Sequence, residues 1–116
     1  MQQGLGAKYD GGKLLFRPLT RGLALPLRLV AAVLTYGAQK YAEDSWQQVP
    51  DGAKRYEDAM DRHLNEWKAG EDFDKESGLL HLGHIACNAL FLCWFKMAEQ
   101  DYSPEYFRFN KPPVKD

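Results

Sequence analysis

Apolar positions along the chain recur at helical spacing, and no stretch alternates in the way a half-buried strand would. From Leu27 to Glu43 the apolar set Leu29, Val30, Val33, Leu34, Tyr36 and Gly37 is broad, and Pro26 stands where a first-turn proline belongs. A loop over 44–52 follows. Tyr56, Met60, His63, Leu64 and Trp67 then make one stripe, with Asp51 as the expected cap and Gly70 as the stop. The third segment, from a cap expected at Asp74 to about Met97, is apolar almost all the way round. The pattern predicts an all-α fold, a compact bundle of three to four helices over residues 26–97. A glycine-rich arm (1–25) precedes it, and a tail rich in proline and aromatic residues (98–116) follows.

The polar exceptions to this pattern carry the chemistry. At 100° per residue, Ser77, His81, His84 and Asn88 fit within an arc of about 60° on the third helix. Arg62, His63 and Glu66 stand at matching heights on the second, so an antiparallel hairpin sets His63 against His81 and Glu66 near Ser77. Tyr36 and Lys40, one turn apart on the first helix, are candidate walls. Each buried polar group left without a partner costs about 1–3 kcal/mol. A self-contained hydrogen-bond network would meet that cost, but three histidines, an amide and a hydroxyl on facing stripes favour a ligand or metal site. The acidic turn Glu71, Asp72, Asp74 and Glu76 lacks the EF-hand spacing; it reads either as helix capping or as divalent-metal ligation at the mouth of the pocket.

Composition narrows what such a pocket would hold. A chain of 116 residues supports one core and one domain. With 15 basic and 16 acidic residues and a formal charge of −1, it has no global field for nucleic acid or a membrane surface. A polyanionic ligand would need a local cationic cluster or a metal. Cys87 and Cys93, six apart on one helix, cannot bridge each other. With no membrane-length apolar run and no leader pattern, a cytoplasmic protein with reduced thiols is expected. The segment Lys8-Tyr9-Asp10-Gly11-Gly12-Lys13 is a turn by composition. It lacks P-loop spacing, and reads more simply as an arm packing Leu14, Leu15 and Phe16 than as a phosphate strap.

Taken together, KYDGGK (8–13), YGAQKY (36–41) with Trp46, RH (62–63), GEDFD and ESG (70–74, 76–78), and HLGH (81–84) with Asn88 carry a family likeness. The chain resembles the N-terminal domain of the phage and bacterial dATP/dGTP diphosphohydrolases, a branch of the all-α, MazG-like nucleoside triphosphate pyrophosphohydrolases. The resemblance implies cleavage between the α- and β-phosphates of dATP or dGTP, to monophosphate and pyrophosphate. It also implies a divalent cofactor, Mg²⁺ with Mn²⁺ or Co²⁺ as alternatives, and a homo-dimer or homo-tetramer with sites between chains.

On that resemblance, His63, His81, His84 and Arg62 are the expected catalytic residues. Lys13, Tyr36, Lys40, Trp46 and Asn88 are expected to bind substrate, with Tyr36 or Trp46 stacking on the base. The expected metal ligands are Glu66, Glu71, Asp74 and Glu76. MazG-like enzymes use ExxE and ExxD motifs; here the mid-helix counterparts are His63-x-x-Glu66 and His81-x-x-His84. Either the metal is softer than Mg²⁺, or carboxylates hold it while histidines meet phosphate; the second is the expectation. A non-catalytic nucleotide sensor and a phosphohydrolase releasing triphosphate are the alternatives, the latter disfavoured because no His-Asp dipeptide occurs. Leu79, Leu82, Ala86, Leu90 and Cys93 face away from the polar stripe and predict a partner surface.

Overall fold

The computed structural model describes residues 13–100. The glycine-rich motif up to Gly12 and the tail from Asp101 onward lie outside the described residues. The described residues form four helices, α1 (Arg17–Thr20), α2 (Ala24–Lys40), α3 (Gly52–Lys68) and α4 (His81–Glu99), with one 3₁₀ turn at Ser45–Gln48 before α3. Among the described residues the only extended pairing is an isolated bridge between Phe73 and Leu80. The all-α expectation holds.

The packing is organised on α4. α3 lies along it, and α2 packs on another of its faces. The direction of the α3–α4 pair follows from its contacts. Gly52, at the start of α3, sits under Phe95 near the end of α4, while His63 meets His81 at the beginning of α4. The pair is therefore antiparallel, as the hairpin pattern predicted. Two glycines allow the close approach. A Cβ on Gly52 would stand 2.7 Å from Phe95 Cζ, and one on Gly83 would stand 2.6 Å from Leu29 Cγ of α2. Either would force a ring or a branched side chain to move.

One end of the pair is closed by aromatics. Trp46 stacks on Phe91 at 4.3 Å between centroids and meets Trp94 and Phe95 edge-on. The Tyr56 hydroxyl donates to Trp46 O at 3.0 Å, fixing the 3₁₀ turn to α3. Beyond this cluster the apolar core is thin: Val33 and Cys87 are its buried aliphatic and thiol members, and Leu82, Leu90 and Trp94 of α4 are exposed. Burial pushes the Cys87 thiol up to about 11, so it is a packing group and not a nucleophile.

Three element boundaries depart from the pattern. α2 begins at Ala24, and Arg17–Thr20 forms a short helix inside the predicted arm, with Pro18 in its first turn. Asp51 does occupy the position before α3, but in the left-handed region (φ 56°) and with no capping hydrogen bond from its side chain. The largest departure is at α4. Asp74 does not cap it; the helix starts seven residues later at His81, and Ser77 lies in the preceding loop. The Asp74 carboxylate accepts from Ser77 instead.

Candidate functional site

Residues 69–80 link α3 to α4 as a loop that satisfies its own backbone. Asp74 N donates to Leu79 O at 2.8 Å, Gly78 N to Asp74 O at 2.8 Å, and His81 N to Asp72 O at 2.9 Å. The Asp74 carboxylate accepts from Ser77 N at 2.8 Å and from Ser77 Oγ at 2.7 Å. Asp and Ser take such local bonds because their short side chains reach the backbone a few residues on. The loop thereby holds Glu71, Asp74 and Ser77 against His63 and Glu66 of α3 and His81 and His84 of α4.

Proton positions follow from the partners. His81 has no exposed surface. Its Nε2 lies 2.9 Å from Glu71 Oε1, and an ionised carboxylate only accepts, so Nε2 carries the proton. Its Nδ1 then faces His63 Nδ1 at 2.8 Å with a lone pair, and in the neutral pair His63 Nδ1–H donates. His84 obeys the same logic. Ser77 Oγ gives its one proton to Asp74, so it accepts from His84 Nε2–H at 2.7 Å, leaving Nδ1 as the basic nitrogen. The His63 and His84 rings stack at 4.4 Å with 5° between planes.

Electrostatics divide the site into a neutral floor and a charged rim. Burial is the main cause lowering the pKa of His63, reinforced by His84, and burial likewise lowers that of His84. For Asp74, burial acts upward, but the two Ser77 hydrogen bonds and the fields of His84 and His63 bring its pKa below the usual value. Glu71 is lowered first by its hydrogen bond with His81, then by Lys75, whose Nζ is 3.4 Å from Oε2. At the rim Lys40 is ion-paired with Glu76; that contact raises the lysine and lowers the carboxylate, while burial and Glu76 together raise Tyr36.

The expected site residues separate on this frame. His63, Glu66, Asp74 and His81 converge, each offering one ligand atom, and all four atoms lie within 4.8 Å of one another. Glu66 reaches to 3.5 Å from His81 Nε2, and Asp74 to 3.7 Å from His84 Nε2. Two of the four carboxylates expected as ligands, Glu66 and Asp74, belong to this group. Glu71 stands behind His81, and Glu76 is turned to Lys40. Tyr36 meets His84 edge-on at 6.5 Å, and Lys40 Nζ lies 5.7 Å above the Tyr36 ring, so the wall expected from α2 is present. Arg62 is exposed on α3, and Lys13 is exposed at the start of the described residues.

Trp46 and Asn88 face elsewhere. Trp46 is part-buried in the aromatic cluster at the opposite end, stacked on Phe91. Asn88 is buried and donates from Nδ2 to His84 O at 2.8 Å, bracing its own helix. The polar stripe had shown Ser77 but not its use as the bridge between His84 and Asp74, because that depends on the loop. Glu71 as the partner of His81 was equally hidden.

Two imidazoles and two carboxylates converging between a hairpin and its loop define the class as an all-α domain with a histidine–carboxylate cluster at one end of its helix pair. The chain belongs to the dATP/dGTP diphosphohydrolase N-terminal family, which it matches over residues 3–105. One relative, the dATP/dGTP diphosphohydrolase of Salmonella phage PMBT28, is 37% identical over 89 residues, covering 77% of this chain and 29% of the relative. The chain thus spans less than a third of that relative's length. No solved structure matches it.

Proposed function

We propose that this domain hydrolyses dATP or dGTP to the deoxynucleoside monophosphate and pyrophosphate, with a divalent ion held by His63, Glu66, Asp74 and His81. The observation that carries it is the convergence of those four ligand atoms within 4.8 Å in a chain of this family. The fit of an ion rests on the donors themselves. His81 is wholly buried with both ring nitrogens engaged in the cluster, and two carboxylates lie beside it. When bound, such an ion would polarise phosphate oxygens and lower the pKa of a water.

The chain's own groups supply the rest. Burial keeps His63 and His84 neutral near pH 7, so they act as proton acceptors or donors and not as cations. His84 offers a basic Nδ1 while Ser77 and Asp74 hold its other nitrogen in place. Charge on the triphosphate is met by Arg62 and Lys40 at the exposed rim; Lys40 would exchange Glu76 for phosphate. Tyr36, at the wall, is placed to stack on the base.

The exposed apolar residues of α4 support a homo-dimer or homo-tetramer, since Leu82, Leu90, Trp94 and Met97 are left open beside a thin core. No helix among the described residues is long and apolar enough to cross a membrane.

The test is a panel of deoxynucleoside triphosphates with Mg²⁺, Mn²⁺ and Co²⁺, products separated and the protein's mass measured by light scattering. Pyrophosphate from dATP or dGTP, lost in Asp74→Asn at unchanged fold, is the expected result. Release of triphosphate, or tight nucleotide binding without turnover, overturns it in favour of a different phosphohydrolase or a sensor.

A further inference from the structure

The donor atoms at the cluster point to a particular class of ion. We infer that the site is built for a transition ion bound through imidazole nitrogen, of the Mn²⁺, Co²⁺ and Zn²⁺ class, in preference to Mg²⁺, with Glu71 as the positioning residue for His81. The inference rests on the metal-assisted reading above and deepens it.

Mg²⁺ demands octahedral oxygen donors and gives up water reluctantly, whereas imidazole suits the first-row transition ions. Half of the four converging ligand residues here are histidines: on α3 His63 is less exposed than Glu66, and His81, the contribution of α4, is 0% exposed against 49% for the Glu66 side chain. An oxygen-only site would have to draw on Glu66, which is half exposed, and Asp74, whose carboxylate already accepts from Ser77 N and Oγ. Glu71 and Glu76, the other nearby carboxylates, are already held by His81 with Lys75 and by Lys40 respectively.

The geometry between the rings supports nitrogen ligation. The two Nδ1 atoms face each other at 2.8 Å, and in the neutral pair one proton lies between them. Two nitrogens sharing a Zn²⁺ at about 2.0–2.1 Å each stand about 3.3 Å apart at the tetrahedral angle, so the rings need open by only about half an ångström. The proton between them is the natural occupant of a site that an ion takes over.

Glu71 completes the arrangement. By accepting from His81 Nε2–H at 2.9 Å, its Oε1 fixes which nitrogen keeps the proton and turns Nδ1 toward His63. A carboxylate behind a ligating histidine in this way orients the ring and raises its basicity. Lys75 and the backbone bond from Glu71 N to Glu66 O at 3.0 Å hold Glu71 in that position.

The full chain, labelled with ¹⁵N at histidine, tests this directly. It has three histidines, so each ring's nitrogens are resolvable in long-range proton–nitrogen spectra. Zn²⁺ is expected to shift the nitrogens of His63 and His81 at stoichiometric addition, and millimolar Mg²⁺ to leave them in place. Calorimetry with Zn²⁺ should show a 10- to 100-fold weaker affinity in Glu71→Gln, about the usual loss for such a partner, with partial recovery in Glu71→Asp and an unchanged melting midpoint without metal. If neither ion shifts His63 and His81 while dATP or dGTP is still hydrolysed with Mg²⁺, the inference falls and the hydrolase stands. If Zn²⁺ shifts both rings but no triphosphate is cleaved, the metal assignment stands and the hydrolase falls.

Discussion

The two ends of the α3–α4 pair solve the problem of closing a helical hairpin in opposite ways. One end is filled by Trp46, Tyr56, Phe91 and Phe95, whose rings stack and tilt within 4.3–6.3 Å of one another. The other is filled by three imidazoles, two of them stacked at 4.4 Å and two facing through nitrogen at 2.8 Å. Flat rings do the packing in both places. At the aromatic end the rings gain mainly from burial, with one hydroxyl bonded to Trp46 O; at the histidine end each polar atom must be partnered. The difference separates the ends: the first packs the helix pair, and the second holds the polar cluster proposed as the site.

That division is open to attack from either side. The largest effect is expected from Trp46→Ala, which empties the aromatic end and should cost about 3 kcal/mol of stability in urea unfolding, as large-to-small aromatic changes do. A smaller loss, about 1–3 kcal/mol, is expected for Gly52→Ala, because its Cβ would press on the Phe95 ring. In both variants, metal affinity measured under folding conditions should stay close to wild type. A collapse of affinity in Gly52→Ala would mean that the ends are not separable.

At the polar end the balance reverses. Ser77→Ala removes the bridge between His84 and Asp74 and should lower turnover about 10- to 100-fold, the range for lost partners of catalytic groups, with Ser77→Thr recovering most of it. Thermal melting at neutral pH should move little, since the site is half-open.

The smallest expected effect is on the pH dependence of stability. His63 and His84 have folded-state pKa values below their ordinary value of 6.5, so the unfolded chain binds protons more readily there. Their contribution is therefore present above about pH 6.5 and is lost as pH falls through the folded values. Asp74, also lowered, adds a second loss at more acidic pH, below the usual aspartate value of 3.8. His84→Gln should flatten the first of these slopes and leave the second. A wild-type melting midpoint that does not fall between pH 7 and pH 5 would contradict the neutral-imidazole floor.

Much of this was legible in the sequence, for reasons that differ by element. The stripe Tyr56, Met60, His63, Leu64 and Trp67 predicted α3 and its antiparallel partner, because helical period reports a buried face directly. It also brought His63 to His81. The ligand set was harder to read. Asp74 looks like a helix cap in one dimension, and only the folded loop shows its carboxylate bonded to Ser77 N and Oγ, with α4 delayed to His81. Trp46 likewise read as a base-stacking residue near YGAQKY, but ring-on-ring packing against Phe91 depends on α4 residues some 45 positions away. Period identifies faces; it does not say which polar group on a face will be another's hydrogen-bond partner.

His81 is where α4 begins, and three separate restraints meet on it: its backbone N on Asp72 O, its Nε2 on Glu71 and its Nδ1 on His63. Surface loops usually tolerate changes of length. This one does not have that freedom. An added residue between Asp74 and His81 would have to be absorbed in a loop closed by Asp74 N on Leu79 O, Gly78 N on Asp74 O and His81 N on Asp72 O, so one of those bonds or the seat of His81 against His63 would give way. The span 74–81 thus acts as a ruler, and its length is as much a part of the site as the side chains it delivers.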